Sequence, residues 1–412
     1  MTRAEMLAFE PKPDEYVALA RAVDESASDA LLDERERALR DQIREVVAAE
    51  LVPRAAETDR THSFAIEGFT ALAERGLVGL IFPKRWGGTE DSNVAYAAAV
   101  EEITAGCPAT SLIYVTQMHA GYPIWRAASE TVATRYLPGI IDGSIFGSLG
   151  ITEPDAGSDA ASLRTRATAT DDGGRQSYVL SGSKTFITTG DRADAIVCFA
   201  TVDPALGRRG ITAFLVDGTA EGLTRGRPFD KMGMHGSSTA ELFLSGVEVP
   251  AENRLGDEGD GWSLLMTSVI KSRISAAAQG VGIARAAYQM ALHALRAIHG
   301  SKLPDEVTFA LAEMRGEILR GRLLLFAVAR EVDRSASPSA GEIAMMKQSC
   351  TDLGWRVSVE AARILGPFGD VAGLGVERCI RDSKVTQIYD GTNEVQRLLI
   401  GRDTTRGLEG VL

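Results

Sequence analysis

A change of hydropathy pattern divides this chain into three stretches, and that division limits the possible folds more than any other feature. Before about Ser144 the apolar residues recur at helical spacing, as at Leu32 and Leu39. From there to Val249, short runs rich in β-forming residues alternate with Gly, Asp and Asn. From about Trp262 the helical pattern returns. The chain is therefore predicted to be α+β, with a β domain between two helical domains.

The same pattern predicts where the domains begin and end. We expect an N-terminal extension over residues 1–31, a helical domain over 32–147, a middle β domain over 148–255 and a C-terminal domain over 256–412. The spacing of the short β runs indicates an antiparallel sheet or small barrel. No Gly-x-Gly-x-x-Gly motif follows a strand, so a Rossmann nicotinamide site has no support. Four long helical segments with short connections predict a C-terminal four-helix bundle.

Charge and composition exclude several classes of function. The net charge of −12 argues against nucleic acid as the main partner, because phosphate binding needs a basic surface. The four cysteines and five histidines have no metal-ligand spacing, so no metal site is expected. No signal-peptide pattern or membrane-spanning apolar run is visible. We therefore expect a cytoplasmic protein with no membrane partner.

A carboxylate lies at a predicted break between two helices near the C-terminus. Residues 387–397 read QIYDGTNEVQR, and the Gly, Thr and Asn that follow Asp390 favour turns and caps. Gly391 would let another molecule approach the backbone closely. Taken alone, these letters predict a turn that caps a helix. A catalytic carboxylate at the kink is the alternative.

Two further motifs are rich in small and hydroxyl-bearing residues. Residues 150–159 read GITEPDAGSD, a loop whose backbone N–H groups can hold the carbonyl or phosphate groups of a ligand. Residues 182–190 read GSKTFITTG and follow the first β run. As isolated strings, the first is an ordinary turn and Phe186 in the second is a core residue of a strand.

Together, these motifs resemble the acyl-CoA dehydrogenase family in content and order, over roughly Leu32 to Arg406. The family also has the order of helical domain, β domain and four-helix bundle. The resemblance implies FAD-dependent α,β-dehydrogenation of an acyl thioester carried by CoA or by an acyl carrier protein. In that reaction a base removes the α-proton while flavin N5 takes the β-hydride.

The resemblance also implies roles for the residues around the substrate. Asp390 matches the catalytic base, which is usually Glu, and its side chain is one methylene shorter. Ser272 stands where one branch of the family carries its base as Glu, so that alternative base is absent. Ser158, Arg273 and Gly391 match positions near the substrate. The shorter base indicates either a differently placed α-carbon, as in a branched or cyclic acyl group, or altered chemistry.

The implied contacts to FAD come from several motifs, some of which depart from the family pattern. Phe186 replaces the usual Trp beside the flavin, and His235, which replaces a common Arg, receives no catalytic role. Residues 296–302 (RAIHGSK) and 363–367 (RILGP) differ from the blocks that normally hold the ADP half of FAD. The cofactor-binding residues implied are Leu149, Ile151, Thr152, Gly157, Ser158, Phe186, Ile187, Thr188, Arg296, Arg363, Thr392 and Glu394.

Three functional hypotheses follow. The first is an acyl-CoA dehydrogenase of fatty acid metabolism, a homotetramer that passes electrons to an electron-transferring flavoprotein. The second is a flavin oxidase or monooxygenase of the same fold, because an Asp base also occurs in the nitroalkane-oxidising branch of the superfamily. The third is a non-catalytic protein that binds FAD or a thioester. The carboxylate retained at Asp390 argues against the third hypothesis.

Overall fold

The computed structural model of the protein describes residues 10–24, 26–335 and 337–406, and its first part is helical. A short π-helical turn, Val47–Leu51, joins the third and fourth helices. The helices of this part are α1 (Pro13–Val23), α2 (Ser26–Asp29), α3 (Glu34–Val46), α4 (Val52–Thr61), α5 (Ile66–Ala73), α6 (Asn93–Gly106), α7 (Pro108–Ala127) and α8 (Glu130–Asp142). Helix α6 is buried along its whole length, so it forms the centre of this part.

Local sequence signals start several of these helices. Asp33 accepts a hydrogen bond from the Glu36 N–H, and the Glu36 carboxylate accepts one from the Asp33 N–H. This reciprocal capping box satisfies N–H groups that have no partner within helix α3. Ser92 caps α6 in the same way, by accepting from the N–H of Ala95 at 3.0 Å. The sequence therefore fixes where these helices begin.

The middle part is a single sheet of eight strands, ordered β6-β7-β3-β2-β4-β5-β8 with β1 paired to β4. The strands are β1 (Gly147–Gly150), β2 (Arg166–Asp172), β3 (Arg175–Thr188), β4 (Ala195–Thr201), β5 (Ile211–Asp217), β6 (Leu223–Arg225), β7 (Thr239–Pro250) and β8 (Arg254–Leu255). The predicted β domain is confirmed, and most of its pairings are antiparallel. The pairs β1–β4 and β2–β4 are parallel.

A register shift in β3 turns one aromatic side chain away from the sheet. Between Lys184 and Ile187, strand β3 advances three residues while its partner β7 advances two. The extra residue produces a β-bulge, which re-aims a side chain. Phe186, inside the bulge, has φ +57° and is 65% exposed, although its neighbours Thr185 and Ile187 are buried. Phe186 is therefore not the buried core residue that the isolated strand sequence predicts.

The C-terminal part is the predicted helical bundle, followed by one more helix. It comprises α9 (Gly261–His299), α10 (Asp305–Arg334), α11 (Ala340–Ile364), α12 (Val376–Thr386) and α13 (Asn393–Arg406). Helices α9 and α11 touch at glycines: a Cβ atom on Gly280 would lie 2.2 Å from the carbonyl oxygen of Cys350. Among the described residues, no helix combines the length and apolar character needed to cross a membrane.

Buried ion pairs join the two helical parts. Glu101 and Glu102 of α6 are buried between arginines of three other helices, one of which is Arg322 of α10. The guanidinium of Arg285 in α9 contacts both carboxylates, at 2.5 and 2.8 Å, and Arg44 of α3 reaches Glu102 at 2.6 Å. The N-terminal region takes part as well, since Asp24 pairs with Arg44 at 2.9 Å. We call Arg44, Glu101, Glu102 and Arg285 the ion network.

Candidate active site

The segment between α12 and α13 has the predicted kink. Residues 387–392 leave the helix, and the N–H of Asn393 donates to the carbonyl of Gln387 at 3.0 Å, which closes the turn. Asp390 has φ +56° and Gly391 has φ +87°, both in the left-handed region. A positive φ is unusual for a residue with a side chain and is common where surrounding contacts hold a functional group.

Contacts to backbone carbonyls hold this base loop, as we call residues 387–392. The carbonyl of Gly391 accepts from Lys347 Nζ at 3.0 Å and from Gln396 Nε2 at 2.8 Å. The carbonyl of Asp390 accepts from Arg273 Nε at 3.4 Å. Within the described residues, the Asp390 carboxylate accepts no hydrogen bond, and the N–H groups of Asp390 and Gly391 have no acceptor. The loop thus presents one carboxylate and two donors for a ligand.

Two buried cations balance the carboxylate. Burial lowers the pKa of Lys347 to about 8, and the charge of Asp390 opposes that decrease. Burial likewise lowers the pKa of Arg273, again against the Asp390 carboxylate. Lys347 also donates to Asn393 Oδ1 at 2.9 Å, so it joins the end of the base loop and the start of α13 to α11.

Replacement of Lys347 tests this support. In Lys347→Met the carbonyl of Gly391 loses its cationic donor, so the base loop and Asp390 should shift. A displacement of about 1 Å can lower a rate by about 10²-fold, and we expect anaerobic flavin reduction by an acyl thioester to slow between tenfold and hundredfold. The exposed Lys84 provides the matched control Lys84→Met. An unchanged rate in Lys347→Met would show that Lys347 does not position the base.

The other residues predicted near the cofactor in this segment have clear local roles. Thr392 caps α13, since its hydroxyl accepts from the N–H of Val395 at 3.3 Å. The side chain of Glu394 is exposed, and its own N–H and the Thr392 hydroxyl lower its pKa. The simpler interpretation, a helix cap, therefore holds for Thr392, whereas Asp390 is not a cap.

A second group of predicted residues lies on β1, on β3 and on the loop after β1, close to the exposed ring of Phe186. The ring of Phe229 lies 5.1 Å away and supports it. The loop after β1 runs beside β3, because the Thr185 N–H donates to the Thr152 carbonyl at 2.9 Å and Ser148 Oγ donates to the Thr188 carbonyl at 2.7 Å. This arrangement brings Leu149, Ile151 and Thr152 next to Phe186, Ile187 and Thr188.

The surface formed there fits a flat ring system. Gly157 and Ser158 are exposed, and no atom lies within 4 Å of a Cβ built on Gly157. Behind the loop, the buried Lys184 donates to the Ile151 carbonyl at 3.2 Å and pairs with Glu153 at 2.7 Å, which fixes the backbone. An exposed aromatic face beside a fixed, open backbone can bind the isoalloxazine ring of FAD.

Two predicted cofactor residues lie far from the base loop. Arg296 is 23 residues after Arg273 in α9, about 34 Å along the helix axis at 1.5 Å per residue. Arg363 is 16 residues after Lys347 in α11, about 24 Å away by the same rise. Both are exposed, and Arg363 pairs with Glu360 at 2.6 Å. Arg296 and Arg363 therefore lie far from this chain's own base loop, and their predicted role toward the ADP half of FAD stays a prediction.

His235 is held by protein groups. Its Nε2 lies 2.7 Å from the Lys231 carbonyl, and its Nδ1 lies 2.9 Å from the carboxylate of Asp59. Its ring stacks on His62 at 3.8 Å. The absence of a catalytic role for His235 stays a prediction.

Sequence reasoning missed several polar residues close to Asp390. Lys347 lies in a helix of ordinary composition, and Tyr96, His119 and Ser275 are isolated polar residues in largely buried helices. The charge of Asp390 acts on Tyr96, His119 and Lys347. Only the packing of four different helices brings them together, so no motif could have identified them.

Comparison with known proteins agrees with this geometry. The chain matches the acyl-CoA dehydrogenase N-terminal domain over residues 33–144, the middle domain over 148–247 and the C-terminal domain over 259–405. It is 37% identical over 376 residues to cyclohex-1-ene-1-carbonyl-CoA dehydrogenase of Geobacter metallireducens, which covers 90% of this chain and 98% of that protein.

Solved structures show the same fold over nearly the whole chain. Butyryl-CoA dehydrogenase from Megasphaera elsdenii superposes with a TM-score of 0.87 at 34% identity, covering 91% of this chain and 99% of the other. A chain of the structure described as electron transferring flavoprotein of Acidaminococcus fermentans gives 0.86 at 33% identity, with 91% and 99% covered. With all three domains matched, the chain belongs to the acyl-CoA dehydrogenase family of FAD-dependent oxidoreductases.

Proposed function

We propose that this protein dehydrogenates an acyl thioester between Cα and Cβ, with Asp390 as the base that removes the α-proton. The main support is that, among the described residues, the Asp390 carboxylate accepts no hydrogen bond and the two neighbouring N–H groups of the base loop have no acceptor. A base must be free to accept a proton, and the enolate oxygen that develops needs donors. The Asp390 and Gly391 N–H groups are suited to bind that oxygen.

Each residue of the site has a separate proposed role in the reaction. FAD, when bound beside Phe186, supplies the acceptor for the hydride that leaves Cβ. Asp390 takes the α-proton, and its negative charge before the reaction is balanced by Arg273 and Lys347. Ser158, in the exposed loop after β1, is proposed to contact the thioester arm. The buried walls of α6, α7 and α9 keep water away from the developing enolate.

The acyl group is proposed to be cyclic or branched. The Asp390 side chain is one methylene shorter than that of Glu, so a bulkier acyl group must bring Cα closer to it. The relative from Geobacter metallireducens is named for a cyclohexene ring thioester, which supports a ring.

Anaerobic mixing of the FAD-loaded protein with a panel of thioesters tests this function. We expect the oxidised flavin absorbance to bleach with cyclohexanecarbonyl-CoA faster than with butyryl-CoA. The same acyl groups on an acyl carrier protein distinguish the two carriers, because both share the pantetheine arm. No bleaching with any thioester would refute the proposal.

Electrons are proposed to pass to an electron-transferring flavoprotein. Family membership and the Acidaminococcus fermentans structure support this acceptor. We expect turnover with an artificial one-electron acceptor and little with air alone. Stoichiometric peroxide formation at a rate equal to that with the artificial acceptor would instead establish the oxidase hypothesis.

A homotetramer is proposed because large apolar side chains remain exposed on the C-terminal helices. Phe309 of α10 is 66% exposed, Leu398 of α13 is 59% exposed and Ile388 of the base loop is 51% exposed. Such residues are common at subunit interfaces. We expect sedimentation at micromolar concentration to give four times the chain mass of 43.9 kDa. A monomer under those conditions would contradict the proposal.

Three broader assignments also stay proposals. Domain boundaries at 32, 148 and 256 are supported by the ranges of the three family matches. A cytoplasmic location is supported by the four cysteines, which are buried and free. A place in fatty acid metabolism is supported only by the thioester substrate class, and a ring thioester would place the protein in the breakdown of cyclic acids.

A further inference from the structure

Two polar side chains from neighbouring helices form hydrogen bonds with one serine hydroxyl group of a third helix. The Ser275 Oγ of α9 lies 3.1 Å from the Tyr96 hydroxyl of α6 and 3.3 Å from His119 Nε2 of α7. Ser275 also donates to the Lys271 carbonyl, one turn earlier in its own helix, at 3.2 Å. We call Tyr96, His119 and Ser275 the Ser275 cluster.

The hydrogen bonds of this cluster indicate which atom of each side chain carries a hydrogen. A carbonyl oxygen can only accept, so the single hydrogen of Ser275 goes to Lys271. The Ser275 oxygen then accepts from the Tyr96 hydroxyl and from an Nε2–H on His119. Burial lowers the pKa of His119, with the charge of Asp390 opposing it, so the imidazole is neutral at pH 7. Its other nitrogen, Nδ1, therefore carries a lone pair.

That lone pair has no protein partner. Among the described residues, His119 makes no hydrogen bond besides the one through Nε2. Part of the His119 surface stays accessible, whereas Tyr96 and Ser275 are buried. His119 is thus the member of the cluster with accessible surface, and covering its free acceptor with a ligand that supplies no donor is costly.

The cluster lies beside the base loop. Tyr389, the neighbour of Asp390, donates to Gln279 Oε1 at 2.6 Å. Gln279 follows Ser275 by four residues in α9, so both point from the same face, about 6 Å apart. Asp390 and His119 therefore approach one face of α9 one turn apart. With Cα of the substrate at Asp390, His119 would lie level with atoms several bonds further along the acyl group.

We propose that His119 Nδ1 accepts a hydrogen bond from a hydroxyl group on the acyl chain, beyond Cβ. The inference rests on the proposed function and narrows its substrate class to hydroxylated cyclic or branched acyl thioesters. An apolar acyl group that covers His119 would leave this acceptor unpaired, which favours the hydroxylated substrate by about ten- to hundredfold.

The test compares cyclohexanecarbonyl-CoA with its 3-hydroxy and 4-hydroxy derivatives. For wild type, His119→Leu and His119→Gln, both the dissociation constant and the rate constant of anaerobic flavin reduction are measured. We expect at least one hydroxylated thioester to be preferred by tenfold or more in wild type. The preference should fall to near one in His119→Leu and recover in part in His119→Gln, whose amide oxygen also accepts.

The exposed His299 provides the control His299→Leu, in which the preference should stay as in wild type. A wild type that prefers the unsubstituted ring, or an equal preference in wild type and His119→Leu, would overturn the inference. If no thioester reduces the flavin, the proposed function fails, and the dissociation constants alone still decide whether His119 selects the hydroxyl.

Discussion

Asp390→Asn should retain FAD and bind acyl thioester, but its flavin should be reduced at least about 10²-fold more slowly than that of wild type. The amide keeps the shape of the side chain and removes its basicity. The base loop should stay in place, because its contacts to Arg273, Lys347 and Gln396 involve the backbone carbonyls of Asp390 and Gly391. FAD binding should persist because the proposed ring contacts come from β1, β3 and the loop after β1.

Two comparisons separate the base from a turn residue. If Asp390 only shaped the turn, Asn would serve equally well and flavin reduction would stay near the wild-type rate. Asp390→Glu examines the geometry of the pocket instead. With a pocket built around Asp, the longer side chain should lower the rate on cyclohexanecarbonyl-CoA and raise it on butyryl-CoA. The opposite order would argue against a ring substrate.

Glu102→Gln should lower the free energy of unfolding by about 3–5 kcal/mol, the usual cost of removing one charge from a buried ion pair. The Glu102 carboxylate lies between the guanidinium groups of Arg44 and Arg285, and all three side chains are inaccessible to solvent. A neutral amide leaves these two cations without their shared counter-ion. Urea titration of wild type and variant gives the difference directly.

A surface pair supplies the control. Glu50 and Arg54 form an ion pair at 2.9 Å on α4 and the turn before it, and both side chains are partly exposed. Glu50→Gln removes the same kind of charge and should change stability by no more than about 1 kcal/mol. If Glu102→Gln cost no more than Glu50→Gln, the ion network would not hold the helical parts together.

The effect of Glu102 should also depend on pH. Burial raises the pKa of this carboxyl, but Arg285 and Arg44 outweigh burial and hold the pKa well below its ordinary value. A carboxyl whose pKa falls on folding stabilises the protein above its unfolded pKa, and that contribution is lost as the pH falls toward the folded one. The stability difference between wild type and Glu102→Gln should therefore shrink below about pH 4.

The order of domains could be predicted because helical and β periodicity are local properties of the chain. The kink at Asp390 could be predicted as well, because its turn-forming residues follow it directly in the sequence. The short strand β1 and the bulge at Phe186 were not, since both depend on pairing with distant strands. The structure alone shows that Phe186 is an exposed aromatic face.

The site was predictable only where residues lie in continuous motifs. Asp390 follows from the C-terminal motif, which carries its own turn-forming residues. His119, Ser275 and Lys347 each come from a different helix, and their proximity to Asp390 arises from tertiary packing. A single histidine or lysine in a helix gives no signal of this kind. Arg296 and Arg363 were predicted for the ADP half of FAD, and that prediction stays open, since about 24–34 Å of helix separates them from Arg273 and Lys347 beside the base loop.

Deuterium exchange at Cα tests most directly whether Asp390 removes the α-proton. Phenylacetyl-CoA has acidic α-hydrogens but no hydride to transfer from its aromatic ring, so proton abstraction occurs without oxidation. In D₂O, NMR should show the FAD-loaded wild type replacing the α-hydrogens by deuterium at least about 10²-fold faster than Asp390→Asn. Equal exchange rates in the two proteins would contradict the assignment of Asp390 as the base.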